Sequence, residues 1–351
     1  MKFIASAAAV LCLSTAAASA QTLDDLKNDG KNTDNILTYG MGYHQQRYSP
    51  LRQIDKNTVR RLVPVWNLSL DNNWGEQAQP IVYDGVMYVT NARATVAIDA
   101  VSGKQIWKQT LEWPPETPRV VCCGVSNKGA AIYNGRVYRT TLDAHVVAYD
   151  AKTGKELWKS KAAEWKDGFS LTIAPLVANG VLITGISGAE FGVRGFIRRL
   201  GPGDRQAAVA PLHVLGQRYM YIENLPLPRA AGEPVGYIEA IDPLTAEKKW
   251  RVPLADFQIW SAMLATGGGV LFTGKETGEF IALDADTGRQ LWQFQTGSGI
   301  NAMPVTFTQK GRQYVTVLSG IGGLYWNIAR EQLKDKVPPG GSVWTFALMP
   351  N

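Results

Sequence analysis

Two adjacent cysteines, Cys122 and Cys123, are the residues of this chain whose type and spacing best suit chemistry. Neighbouring cysteines can bridge only through a small strained ring, so a bond between them closes no loop and fills no core. Strain of this kind is kept at functional sites rather than in ordinary packing. The pair therefore indicates a site, either as a disulfide or as two buried thiols.

A second candidate is the run SGAEFGVRG, which spans residues 187–195. It places one carboxylate, Glu190, among small residues that let the backbone approach a ligand or ion closely. A hard cation such as Ca²⁺ prefers carboxylate and carbonyl oxygens. The run therefore predicts that Glu190 is a metal ligand, and the alternative is a surface glutamate paired with Arg194.

The first twenty residues predict a secretory signal peptide. Lys2 precedes an apolar stretch from Phe3 to Leu13, and Ala18-Ser19-Ala20 provides a small-residue cleavage site before Gln21. Cleavage would leave only Cys122 and Cys123, in an oxidising compartment where a disulfide persists. Since no later segment is apolar enough to span a bilayer, we expect a soluble periplasmic protein.

Composition narrows the possible partners. The chain has 351 residues and a formal net charge of +6, from 36 basic and 30 acidic side chains. The basic residues are scattered, without a run or an interleaved aromatic stripe, which argues against nucleic acid and favours an acidic protein partner. We expect residues 21–351 to form one large domain or repeat array.

One motif is repeated along the chain. Each copy has an alternating strand that ends in Asp, a tight turn, and a second strand that ends in a tryptophan able to fill the gap to the next unit. In the third copy Ala246 replaces the turn glycine, so we expect a less regular turn there. The copies are TVAIDAVSGKQIW (95–107), VVAYDAKTGKELW (146–158), IEAIDPLTAEKKW (238–250) and FIALDADTGRQLW (280–292).

Further strand pairs with Asp-Gly or Asn-Gly at the tip lie between the copies, as in PIVYDGVMYVT, AIYNGRVYRTT and LVANGVLITG. Tryptophans recur 51 residues apart from Trp107 to Trp158 and 42 apart from Trp250 to Trp292. Four strands at this spacing predict an all-β fold built as a β-propeller, rather than a β-sandwich.

The pattern is interrupted between Trp158 and Trp250. Residues 198–216 (RRLGPGDRQAAVAPLHVLG) have neither strand alternation nor a turn signal. Codons for this stretch can be chosen so that a shifted reading frame gives LDPATGKQLW, which is the repeat motif itself. We therefore predict an out-of-frame or deletion junction at about residues 198–221, with the native frame regained near Tyr219. An ordinary loop insertion is the alternative.

With these motifs the chain resembles the quinoprotein alcohol and methanol dehydrogenases, which use pyrroloquinoline quinone (PQQ) with a bound metal. The resemblance covers residues 38–197 and about 219 to the C-terminus. It rests on the tryptophan repeats, VVCCGVSNKG, SGAEFGVRG and the closing GRQYVTVLSGIGG. It implies an eight-bladed propeller that is incomplete here.

The resemblance also implies roles for individual residues. Cys122 and Cys123 would form a disulfide that packs on PQQ, and Glu190 would bind Ca²⁺ or a lanthanide. Lys128 stands where the family commonly has an arginine, and whether Gln77 or its neighbour Glu76 reaches the cofactor is left open. The implied cofactor contacts are Cys122, Cys123, Lys128, Thr172, Ser187, Gly188, Ala189, Trp260 and Gln77.

The implied activity is oxidation of a primary alcohol to an aldehyde, with electrons passed to a soluble periplasmic cytochrome c. The family's catalytic aspartate comes from middle blades, and no equivalent is found here, so we expect impaired activity. The chain has no C-x-x-C-H haem motif. A non-enzymatic propeller scaffold or binding protein, and an active enzyme with a rebuilt smaller site, are the alternatives.

Overall fold

The computed structural model describes residues 20–121, 124–189, 192–201, 207–210, 230 and 232–350, and for 207–210 it describes the backbone alone. Cys122, Cys123, Glu190 and most of the predicted signal peptide lie outside these ranges. Within these ranges the two α-helices are α1 (Leu23–Lys27) and α2 (Gly323–Leu333). Within the described residues, no helix is long and apolar enough to cross a membrane.

Strands dominate the described residues and form six sheets, which we number 1 to 6 along the chain. Sheet 1 contains β3 (Ile81–Tyr83), β4 (Val86–Thr90), β5 (Ala94–Asp99) and β6 (Gln105–Thr110). Sheet 2 contains β7 (Ala131–Tyr133), β8 (Arg136–Thr140), β9 (His145–Asp150) and β10 (Glu156–Lys161). Sheet 3 contains β11 (Leu176–Ala178), β12 (Val181–Gly185), β13 (Ile197–Leu200) and β14 (Ala207–Ala210).

The later sheets include strands from both ends of the chain. Sheet 4 contains β15 (Gly236–Ile241) and β16 (Lys248–Leu254). Sheet 5 contains β17 (Leu264–Thr266), β18 (Val270–Gly274), β19 (Glu279–Asp284) and β20 (Gln290–Gln295), with β1 (Tyr48–Ser49) parallel to β17. Sheet 6 contains β21 (Val305–Gln309), β22 (Arg312–Ser319), β23 (Ser342–Leu348) and the N-terminal β2 (Leu62–Ser69), which pairs with β23.

The hairpin tips predicted from Asp-Gly and Asn-Gly are confirmed. Both residues of each tip have positive φ, which Gly, Asn and Asp tolerate best. This is the backbone of a two-residue turn whose twist matches the flanking strands. The tips are Asp84-Gly85 (φ 48 and 75), Asn134-Gly135 (50 and 69) and Asn179-Gly180 (48 and 72).

The motif tryptophans join neighbouring sheets, as predicted. Trp66 and three of the motif tryptophans, Trp107, Trp250 and Trp292, each donate the indole N–H to a backbone carbonyl of the next sheet. The rings of Trp66, Trp107 and Trp250 also lie against the turn glycine there. The turn glycine is required by this contact, since a Cβ on Gly154 would lie 2.6 Å from the Trp107 ring. The bonds are Trp66 to Ala100 (3.2 Å), Trp107 to Ala151 (2.9 Å), Trp250 to Ala285 (2.9 Å) and Trp292 to Leu62 (3.1 Å).

These contacts and the buried core give the sheets the order 4-5-6-1-2-3. Separate apolar clusters join sheets 4 and 5, 5 and 6, 6 and 1, and 1 to 3. Within the described residues, no apolar cluster joins sheet 3 to sheet 4. The fold is therefore a β-propeller in which this seam is not closed by packing of described side chains.

The prediction of a less regular turn at Ala246 was wrong. The turn at Ala246 is as regular as the others, because Ala246 N donates to Asp242 O at 2.9 Å just as Gly103 N donates to Asp99 O at 2.9 Å. Alanine tolerates the required φ of +59 here.

Strands also form in the stretch from residue 198, although it lacks alternation. They include most of β13 and all of β14; β13 pairs with both β12 and β14. Backbone groups at an open sheet edge can pair with any extended segment, even one without alternation.

Candidate functional site

The loops that carry the predicted site residues meet at one end of the sheets. In an antiparallel sheet the connection into the first strand and the connection between the second and third strands lie at the same end. Backbone hydrogen bonds link these loops from sheet to sheet. They run from Glu76 N to Gly320 O (2.8 Å), from Gln79 N to Lys128 O (3.2 Å) and from Lys128 N to Thr172 O (2.9 Å). We call this the entry end.

Thr172 and Ser187 form a pair of hydroxyls at the entry end, with their oxygens 3.4 Å apart. The loops that carry them are joined because Ser170 and Ser187 exchange two backbone hydrogen bonds of 3.0 and 2.9 Å. Gly188 follows directly at φ +131, and a Cβ there would lie 2.0 Å from Gly168 O. Only glycine permits this close approach, which brings the backbone at Gly188 beside the two half-buried hydroxyls.

Two polar side chains of the neighbouring loops are accessible. Lys128 is exposed and Gln77 is half-buried, so each can reach a ligand at the entry end. Glu76 is different, because its side chain is completely buried. Of the two residues left open by the sequence, Gln77 is therefore the one placed to contact a ligand.

Glu76 is the centre of a buried network. Burial raises its pKa to about 8, although hydrogen bonds from two amides lower it. Its Oε1 accepts from Asn72 Nδ2 at 2.7 Å and from Asn91 Nδ2 at 3.3 Å, whereas Oε2 is buried and has no partner in the part of the chain that the structure describes. A carboxyl in this position is most stable when protonated.

Trp260 belongs to the same end of the molecule. Its side chain is 41% exposed, and its backbone N–H donates to Glu276 Oε1 at 2.6 Å. Burial raises the pKa of Glu276 to about 7. Sequence reasoning missed Glu276, although an acidic residue in the short connection between β18 and β19 could have indicated it.

The connection between β8 and β9 holds a second ionisable group that the sequence did not single out. Burial disfavours the charge on Asp143, but hydrogen bonds from His145 and Thr141 outweigh it and lower the pKa of Asp143 to about 2. His145 Nδ1 lies 3.2 Å from Asp143 Oδ2, and Lys159 Nζ lies 3.4 Å from the same oxygen. Asp143 is therefore a paired structural carboxylate.

The cysteine pair and Glu190 fall outside the described residues, but their neighbours can be placed. Val121 and Val125, on either side of the cysteines, are buried in one apolar cluster with Trp113. Ala189, which precedes Glu190, is exposed and its carbonyl accepts from Gly192 N at 3.0 Å. Both runs therefore begin and end at the entry end.

The described residues fit one part of a quinone site. A planar quinone that bears carboxylates needs N–H or O–H donors and positive charge. The exposed Lys128 ammonium, the two hydroxyls and the close backbone at Gly188 supply these. Among the described residues, no group of three or more His, Cys, Asp or Glu side chains is close enough to hold a metal ion.

The fold and the entry end define a β-propeller of the quinoprotein class. The model of the family "PQQ: Glucose/ethanol/alcohol dehydrogenase, beta-propeller domain" matches residues 37–189 and 207–315, which is more than half of the chain. The chain therefore belongs to the PQQ-dependent dehydrogenase family, a family of oxidoreductases.

Two curated relatives show the extent of the likeness. The quinoprotein alcohol dehydrogenase PedH of Pseudomonas putida is 42% identical over 195 residues, which cover 55% of this chain and 32% of that protein. The dehydrogenase subunit of a quinone-dependent alcohol dehydrogenase of Gluconobacter oxydans is 31% identical over 330 residues, covering 84% and 42%. The chain thus spans less than half the length of these relatives.

Solved structures show the same fold. A europium-containing methanol dehydrogenase superposes with a TM-score of 0.76 at 20% identity, over 93% of this chain and 100% of that one. A quinohemoprotein alcohol dehydrogenase from Comamonas testosteroni gives a TM-score of 0.78 at 19% identity, over 94% and 84%.

Proposed function

We propose that this chain binds PQQ at the entry end and derives from an enzyme that oxidises primary alcohols to aldehydes. The observation that carries the proposal is the meeting of Lys128, Thr172, Ser187 and Gly188 at one end of a propeller of this family. When bound, PQQ with Ca²⁺ or a lanthanide supplies the hydride acceptor and the Lewis acid.

The chain's own residues bind and orient the cofactor. The Lys128 ammonium meets a cofactor carboxylate as a point charge, without the bidentate geometry of arginine. Thr172 and Ser187 donate hydrogen bonds, and the backbone at Gly188 and Ala189 lies against the ring edge. Trp260 and Gln77 are the remaining proposed contacts among the described residues.

Three further residues complete the proposed site. Cys122 and Cys123 form a disulfide that packs against one face of the cofactor. Glu190 is the carboxylate ligand of the metal.

We further propose that residues 21–351 are a single propeller interrupted at about 198–221, and that activity is impaired because the catalytic base is absent. Trp158, whose position in the motif should let it dock on sheet 3, supports the interruption. Trp158 Nε1 is buried and has no hydrogen-bond partner among the described residues. The turn that would offer its acceptor falls in the interrupted stretch.

The register of β14 gives independent support. The motif tryptophan is the third residue of the fourth strand in sheets 1, 2 and 5, as with Trp107 in β6. In β14 the third residue is Val209. If LDPATGKQLW is read from position 200, its tryptophan falls at position 209. Sequencing the gene tests this, because codons that cannot encode the shifted peptide would overturn it.

Export and electron transfer complete the proposal. Removal of residues 1–20 would leave a periplasmic protein, and a soluble cytochrome c would accept electrons one at a time. The net charge of +6 suits an acidic cytochrome.

The test is to add PQQ with Ca²⁺ or a lanthanide to the purified protein. Quenching of tryptophan fluorescence reports binding, and alcohol-dependent dye reduction reports turnover. We expect binding without appreciable turnover, and about tenfold weaker binding in Lys128→Gln, the loss of one charged hydrogen bond. Lys104→Gln, at the opposite end of sheet 1, is the matched control.

Each other outcome decides between the alternatives. Absence of PQQ binding would overturn the proposal and favour a non-enzymatic scaffold. Alcohol turnover would refute the loss of the catalytic base and favour a rebuilt active site.

A further inference from the structure

A cavity of about 510 Å³ lies between sheets 1 and 2, at the end opposite the entry end. Its walls include the two hairpin tips and the side chains of Tyr83, Tyr88 and Ile106. Ala20 and Gln21, where the described chain begins, form another wall. The cavity is therefore built partly from the last residue of the predicted signal peptide and from Gln21, which follows it.

Gln21 is held firmly at this cavity. It is only 3% exposed, and its side-chain Oε1 accepts from Gly135 N at 2.9 Å. Its carbonyl oxygen accepts from Asn134 N at 3.3 Å. The next residue, Thr22, caps α1 because its side-chain oxygen accepts from Asp25 N at 3.2 Å. Hydrogen bonds therefore hold both Gln21 and the residue that follows it.

The cavity also offers negative charge. Asp84, at the tip of the first hairpin, and Asp150, at the end of β9, both line it. Gly135 has no side chain to fill the cavity, and a Cβ at this position would lie 3.9 Å from the Ala20 Cβ. The titratable groups in the lining are Tyr83, Asp84, Tyr88, Asp150 and Lys152.

We propose that this cavity is the binding site for the chain's own mature amino terminus. Cleavage after Ala20 converts the Gln21 nitrogen at the cavity wall into an ammonium group. Asp84 and Asp150 then balance its charge, while Gly135 holds the glutamine side chain. The inference rests on the export step of the proposed function and not on PQQ chemistry.

The site has a chemical consequence. An N-terminal glutamine cyclises when its α-amine attacks Cδ of the side-chain amide, which forms a C–N bond and releases ammonia. The buried carboxamide bonded to Gly135 is withheld from this reaction and from the enzyme that catalyses it. The folded, processed protein therefore keeps an open glutamine that is hydrogen-bonded to the hairpin tip of sheet 2.

The first test uses the exported, processed protein and glutaminyl cyclase as the probe. N-terminal sequencing establishes the start, and intact mass follows the loss of ammonia in folded and urea-unfolded samples, with a free Gln peptide as the control for enzyme activity in urea. We expect cyclisation of the folded protein to be at least about tenfold slower, since it needs local opening of a buried segment. Equal rates would overturn the proposal.

The second test measures the pKa of the α-ammonium group of Gln21 from the rate at which the amine is acetylated at different pH values. We expect its pKa to lie above that of a free peptide amine, and to fall in Asp84→Asn but not in the exposed control Asp335→Asn. An unshifted pKa in the wild-type protein would refute the charge pairing. If sequencing finds another start, the export step fails, and a chain released at Gln21 by an engineered protease still tests the site.

Discussion

Trp107 and Trp158 occupy the same position in the motif but differ in the hydrogen bonding of the indole N–H. Trp107 packs 6.0 Å from Tyr88 at 47°, and Trp158 packs 5.9 Å from Tyr138 at 44°. Trp107 is buried and also packs 6.4 Å from Tyr149, whereas Trp158 is only partly buried. Trp107 Nε1 donates to Ala151 O at 2.9 Å, whereas Trp158 Nε1 is buried without a partner among the described residues. Replacing each by phenylalanine therefore removes a bonded indole N–H from one site and an unbonded one from the other.

The two changes should move the free energy of unfolding differently. Trp107→Phe loses a hydrogen bond worth about 1 kcal/mol as well as part of its packing. Trp158→Phe loses no more packing, because Trp158 is the less buried of the two, and it removes an unpaired buried donor, which costs about 1–3 kcal/mol. We expect Trp158→Phe to be the more stable variant by about 2–4 kcal/mol.

Urea denaturation followed by circular dichroism measures this difference. Equal slopes of unfolding free energy against urea would show that both variants unfold as the same unit. If both variants lose the same stability, Trp158 has an acceptor and the seam between sheets 2 and 3 is complete. That result would refute the interruption proposed at residues 198–221.

Three further results are expected. Glu76→Gln should become more stable relative to wild type as pH rises from 4.5 to about 8, by roughly 1 kcal/mol per pH unit, because folding raises the pKa of Glu76 and the wild-type protein must keep it protonated. Denaturation at several pH values measures this difference in stability, and a difference that stays constant across pH would contradict the expectation. Gly188→Ala should weaken PQQ binding in a fluorescence titration and lower the thermal midpoint, because its Cβ would meet Gly168 O at 2.0 Å; Gly297→Ala, where a Cβ meets nothing within 4 Å, is the control. Gly154→Ala should destabilise the protein by about 1–3 kcal/mol in thermal unfolding, through overpacking against Trp107, and an unchanged midpoint would show that the indole can move aside.

The repeat motif allowed most of the fold to be predicted from the sequence. Asp-Gly and Asn-Gly tips, alternating strands and terminal tryptophans are local signals, and each acts in the structure as its chemistry requires. The motif could not predict which strands β2 and β23 pair with. The pairing of β2 with β23 depends on contacts between opposite ends of the chain, for which a single sequence carries no local signal.

The site was less predictable than the fold. Position within the motifs indicated Gln77, Lys128, Thr172 and Ser187, and the structure places all four at one end of the sheets. The choice between Gln77 and Glu76 needed burial, because the two residues are adjacent and differ only in which one faces the interior. Glu276 was missed since its role depends on the backbone N–H of Trp260, which sequence spacing does not reveal.

The pairing of Leu62 with Leu348 has a consequence for the order of folding. Sheet 6 cannot be completed until β23 has been synthesised. Strand β2 therefore stays unpaired while some 280 intervening residues fold. During that time β2 and β22 expose unpaired edges that favour association between chains. The final step of folding should therefore be slow, and removing β23 should leave the same two edges open.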